Sequence, residues 1–145
     1  MRSPLDRLRH ALSFEILALI LVIPLGSMAF GWPMYDIGVV TIVSATLATL
    51  WNMIYNFLFD VALVRLAGTT QKTVPIRVLH AALFEIGLLI VLMPFIAWYL
   101  GVSLWQAFIM DVAFALFYMV YAFVFNLAYD RMFPLPEWSD KTVSE

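Results

Sequence analysis

The sequence has no cysteine among its 145 residues, which excludes disulfides and thiolate sites and leaves the redox compartment unread. Charge is scarce as well: 12% of residues, eight basic against ten acidic, for a net charge of −2. With that balance and no extended basic face, nucleic-acid binding is excluded. Polar stretches of domain size are also missing, so there is no room for a soluble domain. What is present is apolar, 64% hydrophobic and 16% aromatic. Runs of membrane-spanning length cover about 11–31, 37–60, 80–100 and 105–130. They predict an all-α integral membrane protein with four transmembrane helices in the lipid bilayer.

The first span opens as a secretory signal does, with a basic start and an apolar run. Glu15 interrupts it, however, and the segment recurs at 77–100, so it reads as a retained span. Orientation follows from the basic residues. Arg2, Arg7 and Arg9 precede the first span, Arg65, Lys72 and Arg77 lie between the second and third, and Arg131 and Lys141 follow the fourth. The connections near 31–36 and 101–104 have no Lys or Arg, which predicts that both termini and the middle loop are cytoplasmic.

The chain is a duplicated two-helix unit. Arg7-Leu8-Arg9-His10-Ala11-Leu12-Ser13-Phe14-Glu15 returns as Arg77-Val78-Leu79-His80-Ala81-Ala82-Leu83-Phe84-Glu85. Residues 7–60 align with 77–130 without a gap, thirteen positions are identical, and these include Arg, His, Glu, Pro, Asn and Asp. We therefore expect a first transmembrane pair at 1–66, a second at 67–134 and a polar cytoplasmic tail at 135–145. Each pair crosses the membrane twice, which makes the repeat parallel rather than inverted. Pro24 and Pro94 each delete a backbone hydrogen bond inside a span and predict a kink.

The polar residues carry the chemistry. Arg7, His10, Ala11 and Phe14 share a helix face, with Glu15 beside it, about one turn inside the membrane. An acid at that depth is costly and marks a functional site unless it only joins helices. Its ionised form suits a lipophilic cation, and Trp51, Tyr55 or Phe59 offer ring faces for cation–π contact. A carboxylate that holds either a proton or a cation makes the two compete, the minimum chemistry of antiport. Glu85 repeats the case. The second and fourth spans end in aromatic-x-x-x-aromatic-Asn-x-x-aromatic-Asp, with Asn56 and Asp60 in one and Asn126 and Asp130 in the other. Asp60 and Asp130 sit at the unfavourable end of the helix dipole and call for a cationic partner, Arg7, Arg77 or a histidine. Asp111, whose counterpart is Thr41, is a possible outer relay; Asp36 reads as a solvated turn charge.

Two other readings compete. His10, Glu15, Asp60 and their repeats resemble metal-ligating types, but His and Glu five apart point some 140° away from each other. No metal site, cofactor or enzyme is expected. A non-transporting bundle or accessory subunit, using the acids only to join helices, is the alternative.

The paired phrases Arg-x-x-His-Ala-x-x-Phe-Glu and aromatic-x-x-x-aromatic-Asn-x-x-aromatic-Asp, each present twice in a four-span chain, resemble the proteobacterial antimicrobial compound efflux family. That resemblance implies a bacterial inner-membrane, proton-coupled exporter of cationic biocides such as chlorhexidine, of dyes, or of short-chain diamines. By position it makes Glu15 the proton-coupling acid. Arg7, His10, Asn56, Asp60, Arg77, His80, Glu85, Asn126 and Asp130 form the supporting polar motif, with Phe14, Trp51, Tyr55 and Phe59 as aromatic contacts. Four helices are few for a closed pathway, so a homodimer is expected.

Overall fold

The structure, a computed structural model, describes residues 3–134; Arg2, Lys141 and the polar tail expected at 135–145 lie outside the described residues. Four helices follow one another: α1 (Pro4–Phe30), α2 (Met34–Ala67), α3 (Val74–Leu100) and α4 (Leu104–Met132). All four are long and apolar enough to cross a membrane. The protein is thus all-α with four membrane-spanning helices, as its sequence predicts.

The helices outrun the apolar segments. At 34 residues α2 is about 51 Å long, against a hydrocarbon core of about 30 Å. Hydropathy marks where lipid begins, whereas caps mark where the helix begins. Ser3 caps α1, its side chain accepting from the Asp6 N–H at 3.2 Å, with Pro4 in the first turn. Both Arg-x-x-His-Ala-x-x-Phe-Glu phrases are therefore helical throughout. At the other end α1 and α3 stop at Gly31 and Gly101, whose φ values of 70° and 65° are left-handed and natural to glycine. A reciprocal Ser103–Gln106 capping box, with both bonds at 3.2 Å, starts α4. Pro24 and Pro94 lie inside continuous helices.

The chain packs as two units. One holds α1 and α4 from Val112 onward; the other holds Tyr35–Asp111, and so α2, α3 and the start of α4. Packing therefore crosses the sequence repeats, since α1 of the first repeat meets α4 of the second, while α2 meets α3. The α1–α4 seam is aromatic toward the Arg7–Glu15 end. Toward the other end it leaves an apolar cavity of ≈ 120 Å³ between Val22, Gly26 and Phe30 on one side and Ala113, Phe114 and Phe117 on the other. Outward surfaces of all four helices carry exposed Leu, Ile, Val, Met and Phe, the surface a lipid-facing helix requires.

Candidate functional site

In the α1–α4 unit the first phrase meets the aromatic stripe of α4. His10 Nε2 lies 2.8 Å from Asn126 Oδ1, and an amide oxygen only accepts, so Nε2 carries the proton. Edge-on contacts hold the imidazole against Phe125 at 5.2 Å and Tyr129 at 4.6 Å. One turn further on, the Tyr121 hydroxyl donates to the Phe14 backbone carbonyl at 2.7 Å, and the two rings lie 4.9 Å apart.

The α2–α3 unit repeats this joint with other side chains. His80 Nε2 is 3.0 Å from Asn56 Oδ1. The Asn56 amide nitrogen donates to the Asn52 carbonyl at 2.7 Å, which orients the amide with its oxygen toward His80. Tyr55 and Phe59 flank the imidazole at 5.0 and 4.6 Å. Trp51 Nε1 donates to the Phe84 carbonyl at 3.1 Å, and the Tyr55 hydroxyl to the His80 carbonyl at 2.8 Å. In both units, then, an Asn holds the His and an aromatic donor reaches the carbonyl just before a Glu.

The two units differ at their ends. Arg9 pairs with Asp6, donates from Nε to the Tyr129 hydroxyl at 2.9 Å, and lies 3.8 Å over the Phe133 ring. Tyr129 in turn donates to the Asp6 carboxylate at 2.8 Å. In the second repeat Ile76, Leu79 and Phe59 occupy the corresponding places and cannot form this network. There Asp60 finds its cation in Lys72, at 2.9 Å, rather than in Arg7, Arg77 or a histidine. Arg77 Nε instead donates to the Lys72 carbonyl at 3.1 Å. Asp36, expected as a solvated charge, accepts a 3.1 Å hydrogen bond from Tyr99.

Glu15 and Glu85 are the exceptions in this bonded surrounding. Both are exposed on the chain, and neither makes a hydrogen bond or ion pair among the described residues. Five residues from His turn each side chain about 140° from the direction of its imidazole, and the Glu15 charge stays within electrostatic reach of Tyr118 and Tyr121. Each lies sixteen residues before the glycine that ends its helix. That distance is about 24 Å, so with the glycine at one membrane face the carboxylate is about 6 Å inside the other. Asp111 is half-buried and within electrostatic reach of Glu85. Asp130 is half-buried near the end of α4, and Arg7 makes no side-chain hydrogen bond or ion pair among the described residues. Asp6, Arg9, Asn52, Lys72, Gly87, Tyr121 and Tyr129 are contributors that motif reading passed over. The stripe of Tyr121, Phe125 and Tyr129 was visible, but its hydroxyl partners were not.

Comparisons with known proteins agree with the duplicated joint. A family model described as chlorhexidine efflux transporter matches twice, over residues 2–65 and 72–135. The chain is 37% identical over 126 residues to a short-chain diamines transporter of Acinetobacter baylyi, covering 87% of this chain and 88% of the relative. It is 36% identical to one of Acinetobacter baumannii, covering 87% and 86% of the two chains. A third, from Vibrio parahaemolyticus, is 31% identical over 89% and 91%. No solved structure matches the chain. Two matches of one model, spaced as the internal repeat is spaced, place this multi-pass membrane protein in the chlorhexidine efflux transporter family, a family of transporters and not of enzymes.

Proposed function

We propose that the protein is a drug/proton antiporter of the bacterial inner membrane that exports organic cations, with Glu15 as the group that takes proton and cation in turn. The observation that carries this reading is the contrast within one helix turn. His10 and Phe14 are tied to α4, whereas Glu15 beside them makes no hydrogen bond or ion pair among the described residues. An ionised carboxylate about 6 Å inside hydrocarbon is costly unless a proton or a cation joins it. Helix joining is done by the His–Asn and aromatic–carbonyl bonds, so an accessory role for the acids has less to explain.

Substrates of this chemistry are amphiphilic or short dications, the class that the family description and the relatives' names suggest: chlorhexidine-like biocides, cationic dyes and short-chain diamines. Phe14, Trp51, Tyr55 and Phe59 supply ring faces, Glu85 supplies a second carboxylate at the matching depth of its own helix, and Asp111 supplies negative charge toward the outer side. His10, Asn56, Asp60, His80 and Asn126 hold the helices around them, and Arg7, Arg77 and Asp130 complete the polar motif. Both termini face the cytoplasm and the working form is a homodimer. In the cycle, deprotonated Glu15 accepts the cation from the inner side, rearrangement at Pro24 and Pro94 turns it outward, and a proton displaces it.

Substrate-driven proton movement in inverted membrane vesicles tests this. Addition of chlorhexidine, a monocationic dye or a diamine is expected to collapse a preformed pH gradient with the natural protein and not with Glu15→Gln at equal expression. A Glu15→Gln protein that still exports and still moves protons sinks the mechanism.

A further inference from the structure

The two carbonyls that accept a side-chain bond, those of Phe14 and Phe84, each belong to the peptide that leads into a Glu. Their donors are chemically unlike. In the α1–α4 unit it is the Tyr121 hydroxyl, at 2.7 Å; in the α2–α3 unit it is the Trp51 indole N–H, at 3.1 Å. These are corresponding positions of the two repeats, so one bond has been kept while the donor changed.

The wall beside each ring has changed to match. Gly87 lies one turn beyond Phe84 on the same helix face. A Cβ at 87 would collide with the indole, standing 2.7 Å from Cη2 and 3.0 Å from Cε2. The larger ring thus occupies the place of a side chain at 87, close against α3 backbone, and from there its N–H reaches the Phe84 carbonyl. The residue of α1 that corresponds to Gly87 is Leu17, and the donor of its unit is the smaller Tyr121. A large ring in the repeat that has glycine and a smaller ring in the repeat that has leucine deliver a donor to the same place.

We propose that Trp51 and Tyr121 are positioning residues for Glu85 and Glu15, and that Gly87 is the notch that admits the indole. Each donor adds a second bond, across to the facing helix, at the carbonyl of the peptide from which the Glu backbone starts. The side chain of that Glu has no bond of its own among the described residues, so its direction is set by this turn of backbone. The role given to the carboxylates rests on the antiport reading; the test does not use transport.

The test is site-resolved labelling by dicyclohexylcarbodiimide, a lipophilic reagent for carboxyls within membranes, on the full chain in lipid vesicles, read by mass spectrometry of the Glu15 and Glu85 peptides. Tyr121→Phe keeps the ring and loses only the hydroxyl, whereas Trp51→Phe keeps one ring face and loses the donor together with part of the ring on Gly87. A released Glu swings to the aqueous edge, out of the reagent's reach, so its labelling rate falls about two- to tenfold, the worth of one neutral hydrogen bond. Trp51→Phe is expected to slow Glu85 alone, and Tyr121→Phe to slow Glu15 alone. Gly87→Leu slows Glu85, and adding Trp51→Tyr, which reproduces the Leu17–Tyr121 arrangement, restores it to within about twofold. An unchanged Glu85 rate in folded Trp51→Phe overturns the proposal, as does equal slowing at both carboxyls, which marks general loosening. Local slowing upholds it even if vesicles of the natural protein move no protons, an outcome that counts against antiport alone.

Discussion

Asn56→Leu separates helix joining from transport. The substitution removes the acceptor of the 3.0 Å bond from His80 and leaves the imidazole N–H among the rings of Tyr55 and Phe59. Interhelical hydrogen bonds in membranes are worth about 0.6 kcal/mol on average and about 1.7 at most. A buried donor left unmade adds up to about 1–3 kcal/mol. His80 lies twenty-one residues before Gly101, about 31 Å, which places it at the membrane boundary where headgroup water relieves part of that penalty. We therefore expect Asn56→Leu to cost about 1–2 kcal/mol. His80→Phe keeps a ring between Tyr55 and Phe59 and strands only the Asn56 oxygen, for about 0.5–1 kcal/mol. The double variant has neither group unpaired and should resemble His80→Phe alone, a coupling of about 1–2 kcal/mol, the full cost of Asn56→Leu. Equilibrium unfolding in mixed micelles, followed by tryptophan fluorescence, measures all four proteins. Additivity of the two substitutions to within about 0.3 kcal/mol would refute the tie.

Tyr129→Phe keeps the ring on His10 but loses the hydroxyl's bonds to Asp6 and Arg9, and should cost about 0.5–1.5 kcal/mol in the same assay without unfolding the protein, since Phe59 fills this place in the other repeat. Lys72→Ala breaks the ion pair to Asp60, whose side chain is 47% exposed; solvent screening keeps the loss below about 1 kcal/mol, and it should vanish at high salt. Gly31→Ala and Gly101→Ala place a Cβ in left-handed backbone and should each lower stability by about 1 kcal/mol, with Gly68→Ala as a third case at φ 68°.

Much of this was legible before any coordinates. Apolar run length gave four helices, and the repeated phrases gave the polar and aromatic residues that the structure brings together as His10 with Asn126 and His80 with Asn56. Helix ends were less legible, because hydropathy stops at Ala11 while the cap at Ser3 lets α1 begin at Pro4. The cation for Asp60 was missed because Lys72 lies in a connection with no periodicity to read. Bonds to backbone carbonyls were missed because an aromatic stripe reports which face is apolar, not where a hydroxyl or indole N–H ends.

Which helix pairs with which is the harder question, since a duplicated motif lets either phrase dock on either stripe. The residues that break the duplication decide it. Asp6 and Arg9 need a polar tip opposite them; Tyr129 of α4 provides one and Phe59 of α2 does not. Ile76 and Leu79, on α3, match Phe59. Size makes the same choice one turn deeper. Leu17 in the place of Gly87 against Trp51 would overpack by roughly 1–3 kcal/mol. Two unrelated properties, polarity at the helix ends and ring size beside the carboxylates, therefore select α1 with α4 and α2 with α3 over the sequential pairing. The divergence between the repeats, which looks like noise in an alignment of residues 7–60 on 77–130, is what specifies the packing.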